Sequence, residues 1–262
     1  MPKKQIQPPG VFAHHRAAVG RLYAVMPPEG VLESRMPNFK STKVRVLNSP
    51  ARGSKFAQVL LEMAPGGGME APRADGLQHF YYVVEGTARL QMEDQIHELT
   101  AGAFAYAPGG ASHQLTNASD AGVDVIWLQK PYEPLEGVAA PLPFVSHQEC
   151  VEKVNKHTQG RTWQHLLPDA DLAFDFAVNI LSFEPGNYFP MIETHVMEHG
   201  LYMLEGQGMY LLESDWHECW AKDFIYMGPY CPQFFYATGW STASYLLYKD
   251  VNREIGFQRS PG

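Results

Sequence analysis

The sequence predicts an all-β protein made of two tandem copies of one barrel-type or sandwich-type domain. Two observations carry this. Short apolar or alternating segments are stopped by turn residues, as in Phe80-Tyr-Tyr-Val-Val before Glu85-Gly86 and Gly102-Ala-Phe-Ala-Tyr-Ala before Pro108-Gly109-Gly110. The pattern then recurs at a fixed offset of 120 residues: Leu61 to Leu181, Pro65-Gly66 to Pro185-Gly186, His79 to His199, Tyr82 to Tyr202, Glu85-Gly86 to Glu205-Gly206, and Phe104 and Tyr106 to Phe224 and Tyr226. A gapless repeat of that length implies two copies, each able to hold its own core.

In chain order, residues 1–45 are rich in Pro and Gly and predict an irregular arm with one or two short strands. His14-His15 falls here. Adjacent strand residues face opposite ways, so the pair is not expected to share a ligand. Residues 46–130 form the first barrel. Phe56 to Met63 reads as a strand stopped at Pro65 and the three glycines after it. Residues 131–170 read as a linker with a short helix near Gln148 to Lys156, and residues 171–262 as the second barrel.

Composition excludes several function classes. The 262-residue chain carries a formal charge of -8 with no long run of Lys or Arg, which argues against a nucleic-acid partner. No apolar run approaches membrane-spanning length, and MPKKQIQPPG lacks the apolar stretch of a secretory signal. Cys150, Cys219 and Cys231 are odd in number and widely spaced. They give no disulfide framework or zinc knuckle, so a reducing, cytoplasmic setting is expected. The sequon at Asn117 would be idle there.

Chemistry concentrates at Glu193-Thr-His-Val-Met-Glu-His199. Glu193 and His195 share a strand face by parity, and His199 keeps that parity, so three metal-binding groups would converge on a strand running into a turn. In the first copy, Glu193 is replaced by Arg73, a fixed cation, and His195 by Asp75, while His199 matches His79 and Gln233 matches His113. Asp75, His79 and His113 form either a three-ligand set or a degenerate, hydrogen-bonded remnant. Tyr245 and Lys249 share a strand face, where the first copy has Val125 and Gln129. One copy has gained a phenol and an ammonium suited to a carboxylate at the barrel mouth.

Two β domains with Pro-Gly turns, an H-x-x-x-H cluster before a Glu-Gly turn and a late polar residue resemble the cupin superfamily, over about residues 50–130 and 170–250. The duplication resembles a bicupin. That resemblance implies four metal ligands in the second copy, Glu193, His195, His199 and Gln233. A carboxylate, two imidazoles and an amide oxygen suit Mn²⁺ or Fe²⁺ and admit Zn²⁺ or Ni²⁺. Cys231 shares the strand parity of Gln233.

The second half is similar, more specifically, to the (S)-ureidoglycine aminohydrolase family of purine (allantoin) catabolism. The motifs are Glu193 to Gly200, Tyr202-Met-Leu-Glu-Gly-Gln-Gly, Tyr226-Met-Gly-Pro-Tyr with Gln233, and Ser244-Tyr-Leu-Leu-Tyr-Lys-Asp-Val-Asn-Arg. This resemblance implies Mn²⁺-dependent hydrolysis, with Glu193, His195, His199 and Gln233 on the metal and Glu193, Gln233, Tyr245 and Lys249 on the substrate. Glu193 is the expected proton carrier, and Lys249 and Tyr245 act with it. A homo-oligomer is expected from the superfamily. Two alternatives stay open on spacing alone. One is a metal-dependent dioxygenase or decarboxylase acting on a small carboxylate. The other is a non-catalytic ligand-binding bicupin, which predicts eroded ligand positions in both copies.

Overall fold

The computed structural model describes residues 16–168 and 170–250. His14-His15 and the last three residues of the 244–253 motif lie outside the described residues. The architecture is all-β and includes a nearly closed β-barrel. The chain opens with β1 (Ala18–Val19), β2 (Tyr23–Met26) and β3 (Phe39–Asn48). The first half continues through β4 (Ala57–Met69), β5 (Leu77–Glu85), β6 (Thr87–Met92), β7 (Gln95–Thr100), β8 (Ala103–Ala107), β9 (His113–Thr116) and β10 (Val123–Pro131). Then come β11 (Phe144–His147), β12 (Val154–Asn155), β13 (Arg161–Leu167) and β14 (Phe176–Phe183). The second half ends with β15 (His199–Glu205), β16 (Gln207–Leu212), β17 (Asp215–Trp220), β18 (Phe224–Met227), β19 (Gln233–Ala237) and β20 (Ala243–Asp250).

One sheet runs β11-β8-β5-β10-β4-β9-β6-β7, with β3 also paired to β4. The second half repeats the same neighbours as β18-β15-β20-β14-β13, beside a separate ribbon β17-β16-β19. The bridges Arg73↔His113 and Glu193↔Gln233 occupy equivalent places, 120 residues apart. Gly86 and Gly206 both take positive φ, at 81° and 72°, where the Glu-Gly turn needs a residue without Cβ. Each sheet is extended by a strand from outside its own repeat: β2 pairs with β18, and β11 with β8.

Strand alternation places residues in three cores. Leu61, Tyr81, Leu115 and Trp127 pack inside the first half, and Leu181, Leu201, Phe235 and Tyr245 inside the second. A third core joins the halves, with Phe56, Phe80 and Tyr106 against Phe176, Val178 and Tyr248. On β14, Phe176, Val178 and Ile180 face this shared core, while Leu181 and Phe183 face inward. Both faces of that strand are therefore buried.

Three expectations are corrected. β4 does not stop at Pro65 but runs to Met69, because Gly66 and Gly68 take φ of 73° and 120° and let the strand bend while staying paired. The helix expected near Gln148 to Lys156 is a 3-10 turn, Gln148–Cys150, followed by β12; the N–H of Glu149 is capped by the His147 ring, and no longer helix propagates. The arm expected to be irregular to residue 45 includes most of β3, held by its ladder to β4, and the span expected as linker contains β11 and β13.

Candidate active site

The second half encloses a cavity of about 150 Å³ whose lining includes Glu193, His195, His199, Gln233, Tyr245 and Lys249. These are all of the residues expected to act on metal or substrate. Different devices deliver them. The Glu193↔Gln233 bridge, closed by two N–H···O bonds of 2.9 Å, fixes the loop carrying Glu193 and His195 against β19. His199 begins β15 and lies opposite Lys249 on β20. Tyr245 is two residues further along the inward face of β20 from Leu247, which separates it from Lys249.

His195, His199 and Gln233 come together. The Nε2 atoms of the two imidazoles are 3.1 Å apart, and the Gln233 amide nitrogen is 2.9 Å from His195 Nε2. His199 Nδ1–H donates to the Tyr248 carbonyl at 3.3 Å, so its Nε2 presents a lone pair inward. Burial first, and then the neighbouring His195, hold His199 down at a pKa of about 3, neutral at any physiological pH.

With the amide nitrogen of Gln233 toward His195, the three groups have no consistent hydrogen-bond pattern. If His195 Nε2 carries the proton, it donates to His199 but meets the Gln233 N–H head-on. If it carries the lone pair, it accepts from Gln233 but faces the lone pair of His199. A half-turn of the amide relieves this by turning its oxygen to the His195 Nε2–H, and the same half-turn would present one amide oxygen and two imidazole nitrogens to a cation at the centre of the cluster. The 3.1 Å between imidazole nitrogens is close to the edge between adjacent ligands bonded at about 2.1 Å. The donor set thus fits a divalent ion. Glu193 lines the same cavity without joining the cluster. Among the described residues, no three His, Cys, Asp or Glu side chains are gathered closely enough to hold an ion.

The first half shows what happens when the set is altered. Arg73 Nε–H donates to Asp75 at 2.5 Å, and the guanidinium also lies 5.2 Å over the Trp127 ring. His79 Nε2–H donates to Asp75 at 2.9 Å, while Trp127 Nε1–H donates to His79 Nδ1 at 3.1 Å. Both ring nitrogens of His79 are used, leaving no lone pair for an ion. His113 is buried beside it with ring centroids 4.5 Å apart. Trp127 corresponds to Leu247, so the indole fills space that is cavity in the second half.

Sequence reasoning missed three residues around the cavity. Asn179 is fully buried on β14 and lines it, as does Trp163 on β13; their counterparts at the repeat offset are Val59 and Lys43. Arg161 is buried close to Glu193: burial pushes the guanidinium down and the carboxylate opposes that push. The signal was available, since a polar side chain at a core position where the other copy has valine marks a place where the copies diverged in chemistry. Cys231 is buried but does not line the cavity.

Comparison with known proteins places this geometry in context. The family model described as "Cupin domain" matches residues 59–129. The chain is 32% identical to the (S)-ureidoglycine aminohydrolase of Escherichia coli (strain K12), over 89% of this chain and 90% of that protein. It is 33% identical to the (S)-ureidoglycine aminohydrolase of Arabidopsis thaliana, over 91% of this chain and 78% of that one. Among solved structures, the E. coli protein Ylba superposes with a TM-score of 0.84 at 30% identity, covering 93% of this chain and 97% of that chain. A putative glyoxylate-induced protein from Pseudomonas aeruginosa gives 0.83 at 32% identity, covering 94% of each. Bacillus subtilis oxalate decarboxylase shares the fold at 12% identity, with a TM-score of 0.69 and coverage of 91% and 79%.

Proposed function

The chain belongs to the (S)-ureidoglycine aminohydrolase family and is a hydrolase acting on a small molecule, and from that premise we propose that it converts (S)-ureidoglycine and water to (S)-ureidoglycolate and ammonia in purine catabolism. One observation carries the reading beyond the family. The close cluster of His195, His199 and Gln233 lines a small cavity whose wall also presents Lys249 and Tyr245. We place this site in the second of two tandem cupin barrels, 46–130 and 171–262, and expect Mn²⁺ on Glu193, His195, His199 and Gln233. We expect a cytoplasmic setting, with which three free cysteines are consistent, and carry assembly as a homo-oligomer over from the superfamily.

The substrate carbon carries a carboxylate, an amine and a ureido nitrogen. The Lys249 ammonium pairs with the carboxylate. The Tyr245 hydroxyl is buried beside Tyr210 on the cavity wall, in reach of the carboxylate or the ureido group. Burial holds that phenol well above its ordinary pKa, which makes it a donor and not a base. A divalent ion held by the four ligands would supply Lewis acidity and draw a water toward ionisation near neutral pH. Glu193 takes the proton from water as the C–O bond forms and returns one to the departing amine as the C–N bond breaks. Fixing carboxylate and reacting carbon against separate walls restricts attack to one face, which sets the configuration of the product.

Ammonia release from freshly generated (S)-ureidoglycine tests this, on metal-stripped protein and after Mn²⁺ is restored, with chiral analysis of the product. Mn²⁺-dependent release of a single enantiomer is expected. Glu193→Gln should lower the rate by about 10²–10⁴, the usual worth of general acid–base catalysis. A rate no faster than spontaneous decay with Mn²⁺-loaded wild type would overturn the reaction. Near-normal turnover in Glu193→Gln would overturn the proton role.

A further inference from the structure

Asn179 brings to the cavity wall two hydrogen-bonding atoms that the fold does not use. The residue is fully buried, and neither Oδ1 nor Nδ2 has a partner within the protein. Buried amides are almost always satisfied, so an amide aimed into a cavity with both ends open has been kept for something other than folding. The strand gives no structural reason for it, since the other copy has Val59 there. Trp163 adds a third group: its indole N–H is buried, lines the same cavity and also lacks a protein partner.

The sheet register fixes where these groups stand. Asn179 is directly opposite Leu247, while its neighbours Leu181 and Ala177 are opposite Tyr245 and Lys249. Asn179 is therefore the diagonal neighbour of both, a spacing of about 7–8 Å across one strand pair. Trp163 is opposite Leu181 on the far side of β14. His199 is opposite Lys249 on β15. A small molecule anchored by its carboxylate at Lys249 has His199 beside it across β15 and Asn179 on the other side across β14, so its two other substituents can reach opposite walls.

We propose that Asn179, assisted by Trp163, is the subsite that recognises the planar ureido group of the substrate; this rests on the functional reading above. A ureido group offers a carbonyl acceptor and N–H donors in one plane. A carboxamide offers the complementary Nδ2–H donor and Oδ1 acceptor in one plane, so the two pair edge to edge. The Trp163 N–H is positioned as a second donor to the same carbonyl. A site that hydrogen-bonds an N–H rejects an analogue in which a methyl replaces it, because its own buried acceptor is then left unpaired.

Two ligands isolate this contact. Ureidoacetate and N-acetylglycine share the carboxylate and the carbonyl and differ only in NH₂ against CH₃. Binding of each to the full chain supplied with Mn²⁺ is measured by titration calorimetry. Wild type is expected to prefer ureidoacetate by about tenfold or more. Asn179→Leu, similar in shape, should bring that ratio to about one. Asn179→Asp keeps an acceptor but loses the donor, so it should weaken both ligands and retain the preference; it serves if the leucine variant folds poorly. Trp163→Phe should weaken both ligands equally, since both carry the carbonyl. A wild-type ratio near one, or an undiminished ratio in Asn179→Leu, overturns the subsite while turnover of (S)-ureidoglycine by wild type leaves the reaction standing. Failure of wild type both to bind ureidoacetate and to release ammonia from (S)-ureidoglycine overturns the reaction and the subsite with it.

Discussion

His79 spends both ring nitrogens inside the protein, one donating to Asp75 and one accepting from Trp127. His199 spends only one, on the Tyr248 carbonyl, and turns the other toward His195. The difference follows from Asp75 and Trp127 standing where the second half has His195 and Leu247. Burial first, then His113, lower the pKa of His79 to about 4 despite Asp75. Asp75 itself is pushed up by burial but brought down to about 2 by hydrogen bonds from Arg73, His79 and the Leu77 N–H. The unfolded chain therefore binds a proton at position 79 that the folded chain refuses between about pH 6.5 and pH 4, and stability falls as pH falls through that window. Asp75 extends the loss below it, because its contribution is present above the ordinary carboxylate range and disappears as pH approaches 2. His79→Gln should flatten the dependence of Tm on pH between 6.5 and 4 and leave bound Mn²⁺ at a single ion per chain, as read by thermal melts and metal analysis. An unchanged slope, or loss of the ion, would refute the account. The fate of Asp75, His79 and His113 was legible in the sequence as a choice between a three-ligand set and a hydrogen-bonded remnant. What decides it, the indole of Trp127, sits 48 residues from His79 in sequence, and no local pattern connects them.

At the scale of the element, the repeat made most strands readable, because alternation and Glu-Gly turns are local signals. The misreadings came where backbone conformation is set by tertiary pairing. Pro65 and three glycines ordinarily end a strand. Here Gly68 pairs with both Lys40 and Thr116, so the glycines are where β4 crosses closely between two partners. A Cβ at Gly68 would come within 2.5 Å of the Leu115 carbonyl and 2.6 Å of the Thr116 Cα, at a φ of 120°. At Gly66 the φ is 73° and nothing lies within 4 Å. Gly68→Ala should thus cost roughly 3 kcal/mol or more, whereas Gly66→Ala should cost only about 1 kcal/mol, the backbone penalty alone. Denaturant titration separates the two, and equal losses would show that close approach is not what the glycine serves. Asn179 was passed over for a related reason. In Phe176-Ala-Val-Asn-Ile-Leu-Ser-Phe a buried asparagine does not stand out within the strand itself, and its signal lies in the other copy, which has Val59 at that position.

Across the whole molecule, the first half ties up its own histidine at the equivalent position but braces the second half. Glu198 lies in the loop between His195 and His199 and is buried; its carboxylate accepts from the Ser54 hydroxyl at 2.6 Å and the Lys55 N–H at 3.0 Å. Its own N–H donates to Asp250, which is paired with Lys55 at 2.7 Å. Burial raises the pKa of Glu198, and these donors oppose the rise. The loop that sets the spacing of the two imidazoles is thus tied to residues 54 and 55 of the other half. A second tie, Lys130 to Asp175 at 2.5 Å, also joins the halves, but Asp175 is not itself among the residues that line the cavity. The two ties should therefore separate stability from metal binding. Glu198→Ala removes the brace on the loop and should weaken Mn²⁺ binding by about tenfold, the range expected when a residue supporting a metal ligand is removed. Lys130→Met leaves the buried Asp175 carboxylate with no cation and only the Gln78 amide and the Glu133 N–H as donors, and should lower stability by about 3 kcal/mol or more, yet leave Mn²⁺ affinity of the folded protein unchanged. Metal titration and denaturant melts on both variants read the two effects independently. Equal loss of Mn²⁺ affinity in both would mean that the halves act on the site only through overall stability, and that Glu198 holds no special position between the ligands.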